Sequence, residues 1–304
     1  MAQQLLNAIF IGSIYALFAV GYTLVFGVLD VLNLAHSAVF MLGAVVAYSL
    51  VALHHQPFLV AVLVSVTVCG FAGLVIEFVA LRPLRRRNAP PIAALISTIG
   101  LAQITVAIVE QSNAGSITSW LWVDGANAVR FPSRSVPNPT YHLAGLTLEG
   151  SKLAIVVVTM VLVVVLGYVL KFTQVGRGLR AVAENPRAAL LLGINVNRLF
   201  ALTLFISSAL GGLAGILFGL ALSDIDPYIG RDQVELKGLA VIVLGGMGSI
   251  PGAVVGGYLL GIIEVIAFVR LGSNVEAGVA FLALFLMLVL RPQGLFGARL
   301  RDRL

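Results

Sequence analysis

The chain has 304 residues, of which 60% are hydrophobic and only 11% charged. A soluble domain carries about a quarter charged residues, so these proportions exclude a solvated globule and leave an integral membrane protein. The net charge of +6 reports membrane topology before it reports nucleic acid, and no basic patch is interleaved with aromatic residues.

Apolar runs of roughly 20 residues, enough to cross a bilayer, nearly fill the chain. Turns and loops separate them, not alternating ten-residue strands. The fold class expected is therefore an all-α polytopic bundle of about eight transmembrane helices in a single transmembrane domain over 1–304, not a β-barrel. The single Cys69 lies in an apolar run and founds no disulfide framework. The start, MAQQLLNAIF, lacks the basic region of a cleaved signal, so the first apolar segment reads as a retained span.

Span 1 covers Leu5 to Val28. Its small residues Gly12, Ser13, Gly21 and Gly27 allow close helix approach, and Asn7, Tyr15, Tyr22 and Thr23 place a polar stripe away from lipid. A short break, Asp30 to Ser37, precedes span 2 (Ser37 to Leu53). Non-helical backbone within membrane depth must be buried in protein or line a cavity. His36 there is either a pathway residue or a helix cap. Span 3, Pro57 to Leu81, packs through Gly70, Ala72 and Gly73 and ends with Glu77, expected to pair with Arg82 or Arg85. Arg82, Arg85, Arg86 and Arg87 mark a cytoplasmic side, and Pro83, Pro90 and Pro91 break the chain. Span 4, Ile92 to Glu110, holds Ser97, Thr98, Gly100 and Gln103.

The hydrophilic loop over 111–151 is charge-balanced by Asp124, Arg130, Arg134 and Glu149. With Trp120, Trp122 and Pro132, Pro137 and Pro139 it fits the outer side. Span 5, Lys152 to Leu170, is uniformly apolar and expected to face lipid. Then comes a basic island over 171–198, KFTQVGRGLRAVAENPRAALLLGINVNR, with Lys171, Arg177, Arg180, Arg187 and Arg198 against one acid, Glu184. Gly176 and Gly178 are read as flexing its start, with helix over Leu179 to Glu184. Asn185-Pro186 restarts the chain as a helix cap followed by a first-turn proline. Arg187 to Leu192 is a second helix, stopped by Gly193. A helix-turn-helix so ordered at a membrane surface reads as a docking element; the plainer reading is a basic loop that only sets orientation.

Span 6, Leu199 to Leu222, carries Ser207, Ser208, Gly211, Gly212, Gly215 and Gly219. Asp224 to Lys237 has a net charge of −2 from its residues and is expected outside. Gly238 to Val269 is interrupted at GGMGSIPG, 245–252, where four glycines and a proline cannot continue a helix. The interruption is either a broken-helix binding site or a tight loop at the inner surface. Glu264 is expected to pair with Arg270 at the outer end. The last span, Val275 to Leu290, precedes a basic tail, Arg299, Arg301 and Arg303, placing the C-terminus in the cytoplasm. Gly70 to Leu74 and Gly212 to Ile216 match weakly, as an inverted repeat would.

Four stretches together resemble the permease subunits of branched-chain amino acid ABC transporters, the LivH type: GSIYALFAVGYTLVFGVLDVLNLAHSAVFMLGA, the island GRGLRAVAENPRAALLLGINVNR, TLFISSALGGLAGILFG, and KGLAVIVLGGMGSIPGAVVGGYLLGIIE. Ser37 departs from a glycine frequent in that family. The resemblance implies a non-catalytic transport subunit of a bacterial inner membrane that binds no cofactor of its own. ATP and Mg would sit on two cytoplasmic ATP-binding subunits, and no G-x-x-x-x-G-K-[ST] loop occurs here. A second, LivM-type permease and a periplasmic amino-acid-binding protein would complete the system. Coupling to the ATPases would run through Arg177, Arg180, Glu184, Asn185, Pro186, Arg187, Ala188 and Leu191. Asn33, His36, Ser97, Thr98, Gly245, Gly246, Gly248 and Ser249 are candidates for the substrate path. Leucine, isoleucine and valine are the expected cargo, with urea or short amides as the family's alternative. A secondary transporter would need buried ionisable residues; Glu77, Glu110 and Glu264 read as lying near span ends. No nucleophile–base pair or metal cluster marks an enzyme.

Overall fold

A computed structural model describes residues 2–112, 118–121, 127–132, 138–143, 146–222, 224–272, 276–291 and 293–297. The expectations on Trp122, Asp124, Arg134, Pro137, Arg299, Arg301 and Arg303 lie outside the described residues. Among the described residues, seven helices are long and apolar enough to cross a membrane: α1 (Ala2–Leu29), α2 (Ala35–Leu53), α3 (Phe58–Arg86), α4 (Pro91–Glu110), α5 (Gly150–Phe172), α8 (Val196–Leu222) and α10 (Ile250–Leu271). Between them lie α6 (Gln174–Glu184), α7 (Pro186–Leu191) and the short apolar α9 (Leu236–Gly245), with α11 (Glu276–Leu290) last. The chain is thus a polytopic helical membrane protein.

The core forms where small residues let backbones touch. α1 packs mainly on α10 and α8, and α8 in turn on α2 and α3. A methyl group added at Gly43 of α2 would collide with the backbone of Gly212 on α8. Cys69 and Gly73 of α3 face Gly212 and Ser208 of α8 in opposite chain order, so the two glycine-rich stretches that resemble one another pack antiparallel. Without water to expel between them, membrane helices rely on such close contact. α5 buries only Ile155, Thr159 and Leu166, as a largely lipid-facing helix would.

α3 does not stop at its proline. A π-helical turn, Glu77–Leu81, has the Arg82 N–H reaching back to the Glu77 carbonyl, and helix continues through Pro83 to Arg86. The wider turn accommodates the residue that lacks an N–H. Glu77 is fully buried, with Arg85 Nη2 at 2.7 Å and Arg82 Nε at 3.5 Å. Arg85 also bonds Asn197 Oδ1 at 3.1 Å and lies over the Phe200 ring, tying the arginine cluster to the start of α8.

At the other end of the bundle, β1 (Val129–Arg130) pairs antiparallel with β4 (Asp224–Ile225), and β2 (Thr140–Leu143) with β3 (Leu146–Glu149). Gln3 of α1 exchanges hydrogen bonds with the Thr147 backbone at 3.0 and 3.1 Å, so this end also carries the start of α1.

Asp224 to Lys237, expected outside from its charge, starts at the hairpin end in β4. After β4 the chain turns π-helical over Gly230–Glu235 and runs straight into α9. Gly230 lies against the Ser37 carbonyl, and Glu235 Oε2 is 3.1 Å from Ser37 Oγ, so the segment dips into the bundle beside the start of α2. One expectation is corrected here. Gly176 and Gly178 are not hinges: both lie within α6, where Gly176 passes too close to the carbonyls of Val169 and Leu170 for any side chain.

Candidate functional site

Three polar constructions stand out from the apolar bundle. The first is α6–α7, at the end that carries Arg82–Arg87. Thr173 Oγ1 accepts from the Gly176 N–H and caps α6. Asn185 Oδ1 accepts from the N–H groups of Arg187 and Ala188 at 3.0 and 3.1 Å, with Pro186 in the first turn. Gly193 ends α7 at φ +81°, a conformation that glycine adopts without strain. Leu179, Val182 and Ala189 anchor the pair inward. The opposite face presents Leu191 and Leu192, 90% and 78% exposed, beside Arg177, Glu184, Arg187 and Ala188. Arg180 turns back instead and donates to the Leu170 carbonyl, closing the end of α5. The result is an exposed apolar knob flanked by charged side chains.

The second construction is the break between α1 and α2. Asn33 and His36 are buried, Thr98 of α4 is buried, and Ser97 is half-buried. No side chain of α2's own first turn caps it. His36 is therefore not the helix cap that one sequence reading offered. Its Nε2 lies 3.2 Å from the Phe18 carbonyl, and its ring packs against Phe18 and Tyr22 of α1. The capping falls to Thr98, whose Oγ1 accepts from the Leu34 N–H at 3.2 Å. The Asn33 amide and the Tyr22 hydroxyl are buried and form no hydrogen bond among the described residues.

Gly245, Gly246, Gly248 and Ser249, proposed from sequence for the same path, are not brought to this break. They form the turn between α9 and α10 at the arginine-rich end. Ser249 Oγ caps α10 by accepting from the Gly252 N–H at 3.2 Å. Gly246 and Gly248 adopt φ +101° and +83°. Leu295 and Phe296 donate to the carbonyls of Leu244 and Gly245 at 2.9 Å, and Gly248 faces Gly27 at the end of α1. Of the two readings of GGMGSIPG, the contacts favour a tight surface loop.

The third construction was missed in the sequence. Glu264 does not reach Arg270. Its Oε1 lies 2.5 Å from Lys237 Nζ, and both side chains are under 10% exposed. Lys237 also donates to the Tyr15 hydroxyl at 3.0 Å. Glu264 sits about two turns inside the end of α10, so it does not lie at the span end as expected. A buried ionisable residue of the kind that ion-coupled transport would need is therefore present. The pair borders a cavity of about 320 Å³ whose other walls include Asn7, Ile11, Ile14, Phe218 and Val265. The signal available was the position itself: a single acid inside an apolar run, functional by default in a membrane helix. Among the described residues no group of three or more His, Cys, Asp or Glu could hold a metal.

The family described as "Branched-chain amino acid transport system / permease component" matches residues 4–290. The high-affinity branched-chain amino acid transport system permease protein LivH of Salmonella typhimurium is 34% identical, over 97% of this chain and 95% of its own length. The permease protein BraD of the corresponding Pseudomonas aeruginosa system is 36% identical over the same shares. The ribose import permease RbsC of Haemophilus influenzae is 26% identical over 86% of this chain and 76% of its own. No solved structure matches the chain.

Proposed function

The chain belongs to the branched-chain amino acid transport permease family, and from that membership we propose that it is the membrane-spanning subunit through which an ABC importer moves leucine, isoleucine and valine. The observation that carries this reading is similarity at 34–36% identity across nearly the whole length to two permeases of that description. The chain itself is a passage and not an engine. Two ATP-binding subunits would supply the work, with ATP and Mg bound on them. A second permease of the LivM type would complete the passage, and a periplasmic binding protein would deliver the substrate.

The arginine-rich end faces the cytoplasm on this reading, because Lys and Arg concentrate there; the C-terminal residues 293–297 pack at the same end. Closure of the ATP-binding subunits would push on α7 through Leu191 and the flanking Arg187. α7 is held rigid by its Asn185 cap and its Gly193 stop, so a push is transmitted and not absorbed. The α6–α7 pair connects α5 to α8, and α8 packs on α1, α2 and α3. Movement at the knob therefore reaches the helices around the break at Asn33. The end with the β2–β3 hairpin would receive the binding protein.

The test is reconstitution of this chain with its partner permease, ATP-binding subunits and binding protein in proteoliposomes. Leucine-loaded binding protein should stimulate ATP hydrolysis and drive leucine inward. Uptake by vesicles that contain this chain alone would establish a secondary transporter instead. ATP hydrolysis indifferent to all three amino acids would overturn the substrate assignment.

A further inference from the structure

We propose that the cavity beside Lys237 and Glu264 is a binding site for the zwitterionic amino acid itself, with Lys237 holding its carboxylate and Glu264 its ammonium. The inference rests on the transport reading above and adds to it a place and a chemistry. A ligand pocket usually occupies about 300–1,000 Å³. At about 320 Å³ this one suits a small metabolite and not a large cofactor.

The lining divides as an aliphatic amino acid would require. One wall is apolar, built from Ile11 and Ile14 of α1, Phe218 of α8 and Val265 of α10. The other presents one fixed cation and one fixed anion 2.5 Å apart. Asn7 adds an acceptor: its Oδ1 is buried and forms no hydrogen bond among the described residues, and the residue lines the same cavity. Gln4, also in the lining, lies next to Gln3, which bonds the β2–β3 hairpin. The cavity therefore extends toward the end at which substrate would be delivered.

The physical argument concerns what a buried pair costs. Two charges held in a low-dielectric interior are often no more stabilising than apolar residues of the same size, so a pair serving only the fold has little to recommend it here. A zwitterion changes the balance. Its carboxylate can take Lys237 and its ammonium can take Glu264, which replaces one ion pair by two without leaving any charge unmatched. A ligand that lacks either group would strand Glu264 or Lys237 unpaired, which a buried site penalises heavily. Discrimination against amines and carboxylic acids of the same carbon skeleton follows.

The experiment uses the full complex in proteoliposomes, with leucine uptake measured as KM and kcat separately. Wild-type uptake tests the transport reading on its own; if it is absent, that reading fails and not merely this site. If it is present, three variants test the site. Lys237→Glu with Glu264→Lys exchanges the charges and keeps a pair; Lys237→Met with Glu264→Leu removes both. Each is expected to raise KM for leucine at least tenfold in complexes that co-purify with all partner subunits. Restoration of wild-type KM by the exchanged pair would show a purely structural bridge and overturn the proposal, as would wild-type KM in the neutral pair. Ile11→Phe fills the void without touching either charge. It should raise KM for leucine and isoleucine at least threefold more than for valine, and equal behaviour of all three would also overturn the proposal. Isoamylamine and 4-methylvalerate, each missing one charge, should fail to compete with leucine at tenfold excess, whereas effective competition by either would count against the paired recognition.

Discussion

Glu77 and Glu264 are both buried carboxylates matched to a base, yet their surroundings differ. Glu77 meets two arginines from its own helix, Arg85 at 2.7 Å and Arg82 at 3.5 Å, whose side chains are 31% and 21% exposed. Each arginine also lies over an aromatic ring, Phe200 and Phe78, about 4.2 Å from its centroid. Glu264 meets Lys237, which is 9% exposed and comes from another helix, next to a cavity. The first arrangement is a staple with redundancy and a route to water. The second is a single pair between two helices with a void on one side. The same ionic chemistry thus serves two ends: fastening a helix near the surface, and placing opposite charges where a small molecule fits.

The largest expected effect separates the two sites. Lys237→Met leaves the Glu264 carboxylate without its base in the bundle interior, where breaking a buried pair costs about 3–5 kcal/mol. Arg82→Met leaves Glu77 its shorter bond to Arg85 and should cost about 1 kcal/mol or less, as partly exposed pairs do. Thermal unfolding of the purified complex in detergent measures both. Equal losses would erase the distinction. Arg85→Met falls between, at about 1–2 kcal/mol, because it removes the 2.7 Å bond, the Asn197 bond and the contact with Phe200 together.

A smaller change sharpens the second site. Tyr15→Phe removes only the hydroxyl that accepts from Lys237 at 3.0 Å. A single hydrogen bond to a charged group is worth about 1.5–3 kcal/mol at most, and Lys237 keeps Glu264, so a loss near 1 kcal/mol is expected. A change in leucine KM without that loss of stability would place Tyr15 nearer the substrate than to the fold.

The same contrast explains what could be read from sequence. Glu77 stands 5 and 8 residues before Arg82 and Arg85, so local spacing was enough to pair them. The cap at Asn185 and the stop at Gly193 are equally local, and both were legible. The spans were legible because about 20 apolar residues identify themselves without any knowledge of neighbours. Lys237 and Glu264 were not, since their meeting depends on the α9–α10 turn folding Gly238 to Val269 back on itself. The path of residues 230–237 was illegible for a related reason. Their charges pointed only to a side of the membrane, and only the packing of Gly230 against Ser37 shows that the segment descends into the bundle. Thr98, offered from sequence for the substrate path, caps α2 through the Leu34 N–H 64 residues away, a contact that no local pattern predicts.

The smallest effect on stability tests the region outside the membrane. Arg187 is exposed on α7, and its side chain has no ion pair among the described residues. Reversing it with Arg187→Glu should move unfolding by no more than about 0.5 kcal/mol, as surface substitutions away from caps and cores do. Its backbone N–H, the one that Asn185 Oδ1 accepts from, is untouched by the change. Stability and transport should therefore separate, the reverse of the Arg82 and Lys237 cases, where charge and fold are entangled. Leucine uptake by the reconstituted complex is expected to fall at least fivefold while leucine KM stays fixed, because the deficit lies in transmission and not in recognition. Asn185→Ala provides the control: it loses the cap, costs about 1 kcal/mol, and should weaken the same step by loosening α7 and not by altering its charge. Unchanged uptake with Arg187→Glu, alongside a deficit with Asn185→Ala, would move the contact from the cation to the exposed leucines at 190–192.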